Sequence, residues 1–224
     1  MLRRLLVLLI PGLALTAVLA SLGVWQLHRM EWKAQQLAAI QRGIEQPPGP
    51  LPPAIDPSMR YLPVIVPGRT TGEEILVLSG TRELGGGYNV ISAFQTDDGR
   101  RIMVDRGFIP QDDRHAARPS VALTVTGNLH WPDEKGRSTP EPDLKAGIWF
   151  AREVPRMAEH LGTEPVLVVA SAVQGDAQGV MPMPLDIGGI PNNHLSYAVQ
   201  WFTFALICFG MTMALAWRIR RQTD

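Results

Sequence analysis

Two uncharged apolar stretches, residues 5–27 and 195–217, constrain this 224-residue chain more than any other feature. Each runs 23 residues without Asp, Glu, Lys or Arg, and a helix of that length rises about 35 Å, enough to cross a hydrocarbon core about 30 Å thick. Backbone amides find no water in lipid, so such segments enter it as helices. The chain therefore reads as two transmembrane helices flanking a large excursion on one side. Arg3 and Arg4 precede the first stretch, and Arg218, Arg220 and Arg221 follow the second. Basic residues favour the cytoplasmic side, which predicts cytoplasmic tails at 1–4 and 218–224 and an external region between the spans.

A cleaved secretory signal is the rival reading of the first stretch, with Arg3 and Arg4 as its basic end and Val18-Leu19-Ala20 as its cleavage site. Apolar character continues past Ala20 through Leu22, Val24, Trp25 and Leu27, so an uncleaved anchor is expected, with Trp25 in the interfacial belt. No Arg- and Ser-rich amphipathic leader precedes Leu5; the expected location is a bacterial inner membrane, with the central domain periplasmic.

The balance of 21 basic and 21 acidic residues conceals an asymmetry. Setting aside the five tail arginines and Asp224 leaves 16 basic against 20 acidic residues outside the membrane. A mildly acidic domain gives no support to nucleic-acid binding, which needs a clustered basic face. Cys208 is the chain's one cysteine and lies within the second span. That rules out an internal disulfide and a CxxC site, and leaves Cys208 as a small packing residue.

Residues 28–57 read as a helical extension of the first span followed by a stiff connector. Trp32, Leu37, Ile40 and Ile44 carry the helical period, Gly43 begins its end, and Pro47, Pro48, Pro50, Pro52, Pro53 and Pro57 prevent both helix and central strand. Residues 58–194 form the external domain. Runs rich in β-branched and aromatic residues predict strands over 75–79, 88–96, 101–109, 123–130, 148–151 and 166–170. Asp98-Gly99 predicts a hairpin turn, and Pro155 with Gly162 brackets a short helix. The expected fold is a membrane protein with two transmembrane α-helices flanking one mainly β (α+β) external domain, an antiparallel barrel or sandwich.

Enzymatic constellations are missing. Gly85-Gly86-Gly87 leads into a strand rather than a helix and reads as a tight turn, no GxSxG or HExxH occurs, and the five histidines lack metal-ligand spacing. The segment richest in chemistry is 192–202, at the mouth of the second span. On a helix His194, Tyr197 and Trp201 fall at i, i+3 and i+7, on one face. Such a group reads either as a polar and aromatic interfacial belt, the simpler choice, or as an imidazole ligand to a haem iron with aromatic neighbours.

The ordered motifs resemble the Surfeit-locus family of cytochrome c oxidase assembly proteins. They are Leu22-Gly23-Val24-Trp25-Gln26-Leu27-His28-Arg29 with Trp32-Lys33, Gly87-Tyr88 with Val90, Val104 through Pro110, Gly127 through Pro140, Trp149-Phe150-Ala151-Arg152, and Asn192 through Ala198 with Gln200-Trp201-Phe202. Asp105 and Phe108 stand where this family usually has Asn and Trp, and Arg137-Ser138 replaces a more aromatic pattern. The resemblance implies a non-catalytic factor that binds haem a or hands it to oxidase subunit I, with subunit I, a haem a synthase and the lipid bilayer as partners. It raises His194 to the leading ligand of the haem iron. Tyr197 and Trp201 would then line the macrocycle, Arg29 would pair with a propionate, and Gln26, one turn deeper, would steady His194 or a propionate. A haem-free membrane scaffold for assembly intermediates is the alternative.

Overall fold

The computed structural model describes residues 2–81, 84–186 and 192–221. In chain order its elements are α1 (Leu2–Ile44), β1 (Gly49–Pro50), β2 (Pro63–Thr81), β3 (Gly85–Thr96), β4 (Arg101–Pro110), β5 (Ala122–Leu129), β6 (Ile148–Trp149), α2 (Val154–Leu161), β7 (Leu167–Gly175) and α3 (His194–Arg221). They fall into a helical unit, Met1–Ala39 with Ile187–Asp224, and a β unit, Ile40–Asp186.

In the helical unit α1 and α3 are both long and apolar enough to span a membrane, with mean hydropathy of 2.5 and 1.7 in their most apolar windows. Gly12 meets Thr212, Gly23 meets Phe202, and Gln26 meets His194. Numbers rise along one helix as they fall along the other, so the pair is antiparallel. Lipid gives helices no hydrophobic reason to associate, and close approach through small residues replaces it. Ala198, Ala205 and Thr212, spaced by seven, are the buried residues of α3. A methyl group on Gly23 would lie 2.8 Å from the Phe202 ring. Cys208 is half-buried in this seam, with its Sγ 3.7 Å from the Gly12 carbonyl, and large side chains such as Leu13, Val18, Leu206 and Ile207 face outward.

The β unit is a closed five-stranded barrel. The order β2-β3-β4-β7-β5 returns to β2 through a β2–β5 ladder, while β1 and β6 add short parallel pairings on β2. One 19-residue strand serves several partners because a bulge between Thr70 and Glu74 bends it. Its first part, Pro63 to Arg69, pairs with β5, and its second part continues along β3.

Both faces of the central strands are apolar. Val64, Val66, Phe94, Ile102, Val104, Leu123, Val125 and Val168 come from all five strands and fill the interior. The alternate residues Ile91, Ala93, Met103, Leu167 and Val169 pack outward against Trp149 and α2. That two-sided burial explains why these strands read as continuous apolar runs. Helix α2 turns Val154, Met157, Ala158 and Leu161 inward, at i, i+3, i+4 and i+7, and ends on Gly162 in the left-handed conformation (φ 60°). Burying a side chain the size of Met or Leu contributes about 1.5–3 kcal/mol.

Five of the expected strands and the short helix coincide with β3, β4, β5, β6, β7 and α2 to within a few residues at most ends, although β7 runs five residues further than the 166–170 run. Gly99 turns the β3–β4 hairpin at φ 92°. The run at 75–79 proves to be the end of a strand that begins at Pro63. Part of the proline connector joins the sheet edge, where Gly49 and Pro50 pair with Val64 and Ile65. The Gly- and Pro-rich return from Gln174 to Pro191 reads from the sequence as a loop, but its start continues β7 to Gly175 and Met181 pairs with Phe108; residues 187–191 lie outside the described residues.

Candidate functional site

His194 is the first residue of α3, so the residues that hold it come from the chain entry and from the facing helix. Its ring is half-buried, and Nδ1 lies 2.8 Å from Oε1 of Gln26 on α1. Among the described residues no hydrogen bond reaches the other ring nitrogen, Nε2. Two residues earlier, the side-chain oxygen of Asn192 is buried without a partner. The seam below explains the Gln26–His194 contact. Gly23, one turn from Gln26, has no side chain to hold Phe202 away, and the two helices therefore approach closely enough for an amide to reach an imidazole.

The remaining expected site residues are placed less uniformly. Tyr197 is exposed, and Trp201 is half-buried with its ring edge-on to Phe204 at 6.2 Å. Arg29 is exposed one turn beyond Gln26, its guanidinium 4.6 Å from the centre of the Trp32 ring. A cation over an aromatic face is a weak contact at an exposed site, about 0.5–1 kcal/mol, and a stronger anion can displace it. The structure thus joins Gln26 directly to His194, leaves Arg29 and Tyr197 exposed, and half-buries Trp201 against Phe204.

The β unit holds more charge, and several of its charged side chains are buried. Asp105 on β4 is buried and accepts hydrogen bonds from Arg152 (3.0 Å), Asn89 (3.4 Å) and the Gly107 amide (3.1 Å). Burial pushes the Asp105 carboxyl up from its ordinary value, and Arg152, the largest opposing influence, only partly restores it. Arg152 also grips Glu134 through Nε (2.9 Å) and its backbone amide. Burial works to raise Glu134, yet the hydrogen bonds and charge of Arg152 prevail and hold it below the usual carboxylate range. His130 is buried beside Tyr61 and is driven down to about 4, first by desolvation and then by the charges of Arg60 and Arg152. Arg106, also buried, donates to the Ala177 carbonyl at 2.9 Å and to Gln178 at 3.1 Å.

Sequence reasoning missed the Asp105–Arg152–Glu134 network. Its one signal was a charged pair, Asp105-Arg106, inside the apolar run from Ile102 to Ile109, which marks buried charge without naming its partner. The network draws together three of the sequence motifs, those at 104–110, 127–140 and 149–152. Phe108 is fully buried, and Gly107 is required twice over: its φ is 115°, and a Cβ there would lie 1.9 Å from the Met181 carbonyl oxygen.

Fold and site together define a two-span membrane protein with one β-barrel domain and an imidazole at the mouth of its helix pair. The match to the SURF1 family extends over residues 13–206. Surfeit locus protein 1 of Gallus gallus is 29% identical over 223 residues, covering 85% of this chain and 70% of that protein. The SURF1-like protein of Rickettsia bellii is 27% identical over 202 residues, covering 84% and 82%. Surfeit locus protein 1 of Homo sapiens is 28% identical over 215 residues, covering 81% and 68%. The chain belongs to the SURF1 family.

Proposed function

We propose that this protein is an assembly factor for haem-copper cytochrome c oxidase that carries haem a as cargo and hands it to subunit I. Family membership supports the link to the oxidase. The observation that carries the haem reading is His194, anchored through Nδ1 by Gln26 and free at Nε2 among the described residues. An imidazole held in that way is a donor that haem iron accepts. Tyr197 and Trp201 follow it on one face of α3 and offer aromatic surface to the macrocycle, while Arg29 supplies a cation for a propionate. The apolar tail of the cargo stays in hydrocarbon.

The protein acts as a carrier and not as an enzyme. The arginines at both chain ends favour cytoplasmic termini and a periplasmic barrel in a bacterial inner membrane. The barrel serves as the docking surface for subunit I or the haem a synthase. Tagged full-length protein, purified in mild detergent from cells that make haem a, tests this directly. Recovery of subunit I or the synthase, with extracted haem of type a, is the expected result. Recovery of neither oxidase nor synthase contradicts it, and recovery of subunit I with no haem favours a haem-free scaffold.

A further inference from the structure

The geometry points to Gln26 as a positioning residue that selects the tautomer of His194, fixing the proton on Nδ1 and leaving the Nε2 lone pair for a metal centre. This inference rests on the haem reading for its purpose but not for its chemistry. Neutral imidazole carries one proton, and whichever nitrogen holds it can donate but cannot ligate. With the amide oxygen of Gln26 2.8 Å from Nδ1, that nitrogen must be the donor. The lone pair then belongs to Nε2, which has no hydrogen-bond partner among the described residues.

The contact is built from below. Gln26 lies one turn above Gly23, and Gly23 is where the Phe202 ring of α3 presses against α1 at a distance that leaves no room for a methyl group. The helix approach therefore determines both the reach of the amide and the orientation of the ring. Gln26 does not itself touch the cargo through Oε1, since that atom is already committed; it acts through His194. Groups that orient a metal-bound imidazole typically change metal affinity by about 10–100-fold when removed.

The test uses full-length protein in detergent, free of haem and labelled with ¹⁵N-histidine. At a pH where His194 is neutral, long-range ¹H–¹⁵N spectra read the tautomer directly. The wild type is expected to show His194 in the Nδ1–H form, and Gln26→Ala to shift it toward the Nε2–H form. Gln26→Glu, which keeps an acceptor in place, should retain the Nδ1–H form. Titration with haem a then reads affinity: Gln26→Ala should weaken binding about 10–100-fold, while Gln26→Glu should preserve it and move the haem midpoint potential to more negative values. A wild-type Nε2–H tautomer, or the same tautomer in wild type and Gln26→Ala, would overturn the inference. Failure of the haem reading looks different: haem a would bind His194→Ala as tightly as wild type, whatever the tautomer spectra show.

Discussion

The barrel and the helix pair hold their charged and titratable groups differently. In the barrel the buried Asp105 is enclosed by Arg152, Asn89 and the Gly107 amide, and the buried Arg118 is held by Glu74 at 2.8 Å. In the helix pair His194 and Gln26 satisfy one another on one side only, with Tyr197 and Arg29 exposed nearby. A site that receives a metal centre needs a donor atom with a lone pair to spare beside accessible surface. On the proposed function, the ion pairs of the barrel serve its stability and the helix pair receives the cargo.

That contrast breaks most sharply if barrel substitutions alter haem binding per folded chain, so each of the following is expected to change stability and leave haem content of the folded fraction intact. Gly107→Val should have the largest effect, at least about 4 kcal/mol or outright failure to fold, because it combines a positive φ with a collision against Met181. Arg152→Ala should cost about 3 kcal/mol by leaving Asp105 buried and unpaired, and Asp105→Asn in the same chain should recover part of that loss. Thermal and denaturant unfolding measure both.

His130 sharpens the comparison through pH. Its folded pKa is about 4 against an ordinary 6.5, so between those values the unfolded chain takes up a proton that the folded chain refuses. The stability attached to His130 is therefore complete above about pH 6.5, is lost as pH falls toward 4, and changes no further below that. Allowing for water near the ring, the loss is about 2 kcal/mol, and His130→Gln should remove that part of the slope in unfolding curves taken across this range. The smallest effect belongs to the exposed Glu73–Arg101 pair, where Glu73→Gln should shift stability by less than about 0.5 kcal/mol.

Both spans were legible because membrane insertion depends on composition over a fixed length, and composition is local. The hairpin at Gly99 and the stop at Gly162 were legible because each needs a positive φ at a named residue. The first half of β2 was not, since Pro63 and Pro67 interrupt a run that only the distant strand β5 turns into a ladder. The Gln26–His194 pairing was half legible. Both residues lie near the same end of the two spans, which put them within reach, but the seam through Gly23 that makes the contact depends on three-dimensional packing. Arg152 and Asp105 lie 47 residues apart, and no local pattern signals their pairing.

The measurement that bears most directly on His194 as the cargo site is the haem content of full-length protein co-expressed with a haem a synthase, compared with its His194→Ala and Arg152→Ala variants. The expected result is stoichiometric haem a in wild type, little or none in His194→Ala despite normal folding, and wild-type haem per folded chain in Arg152→Ala. Haem retained by His194→Ala, or absent from all three, would contradict it.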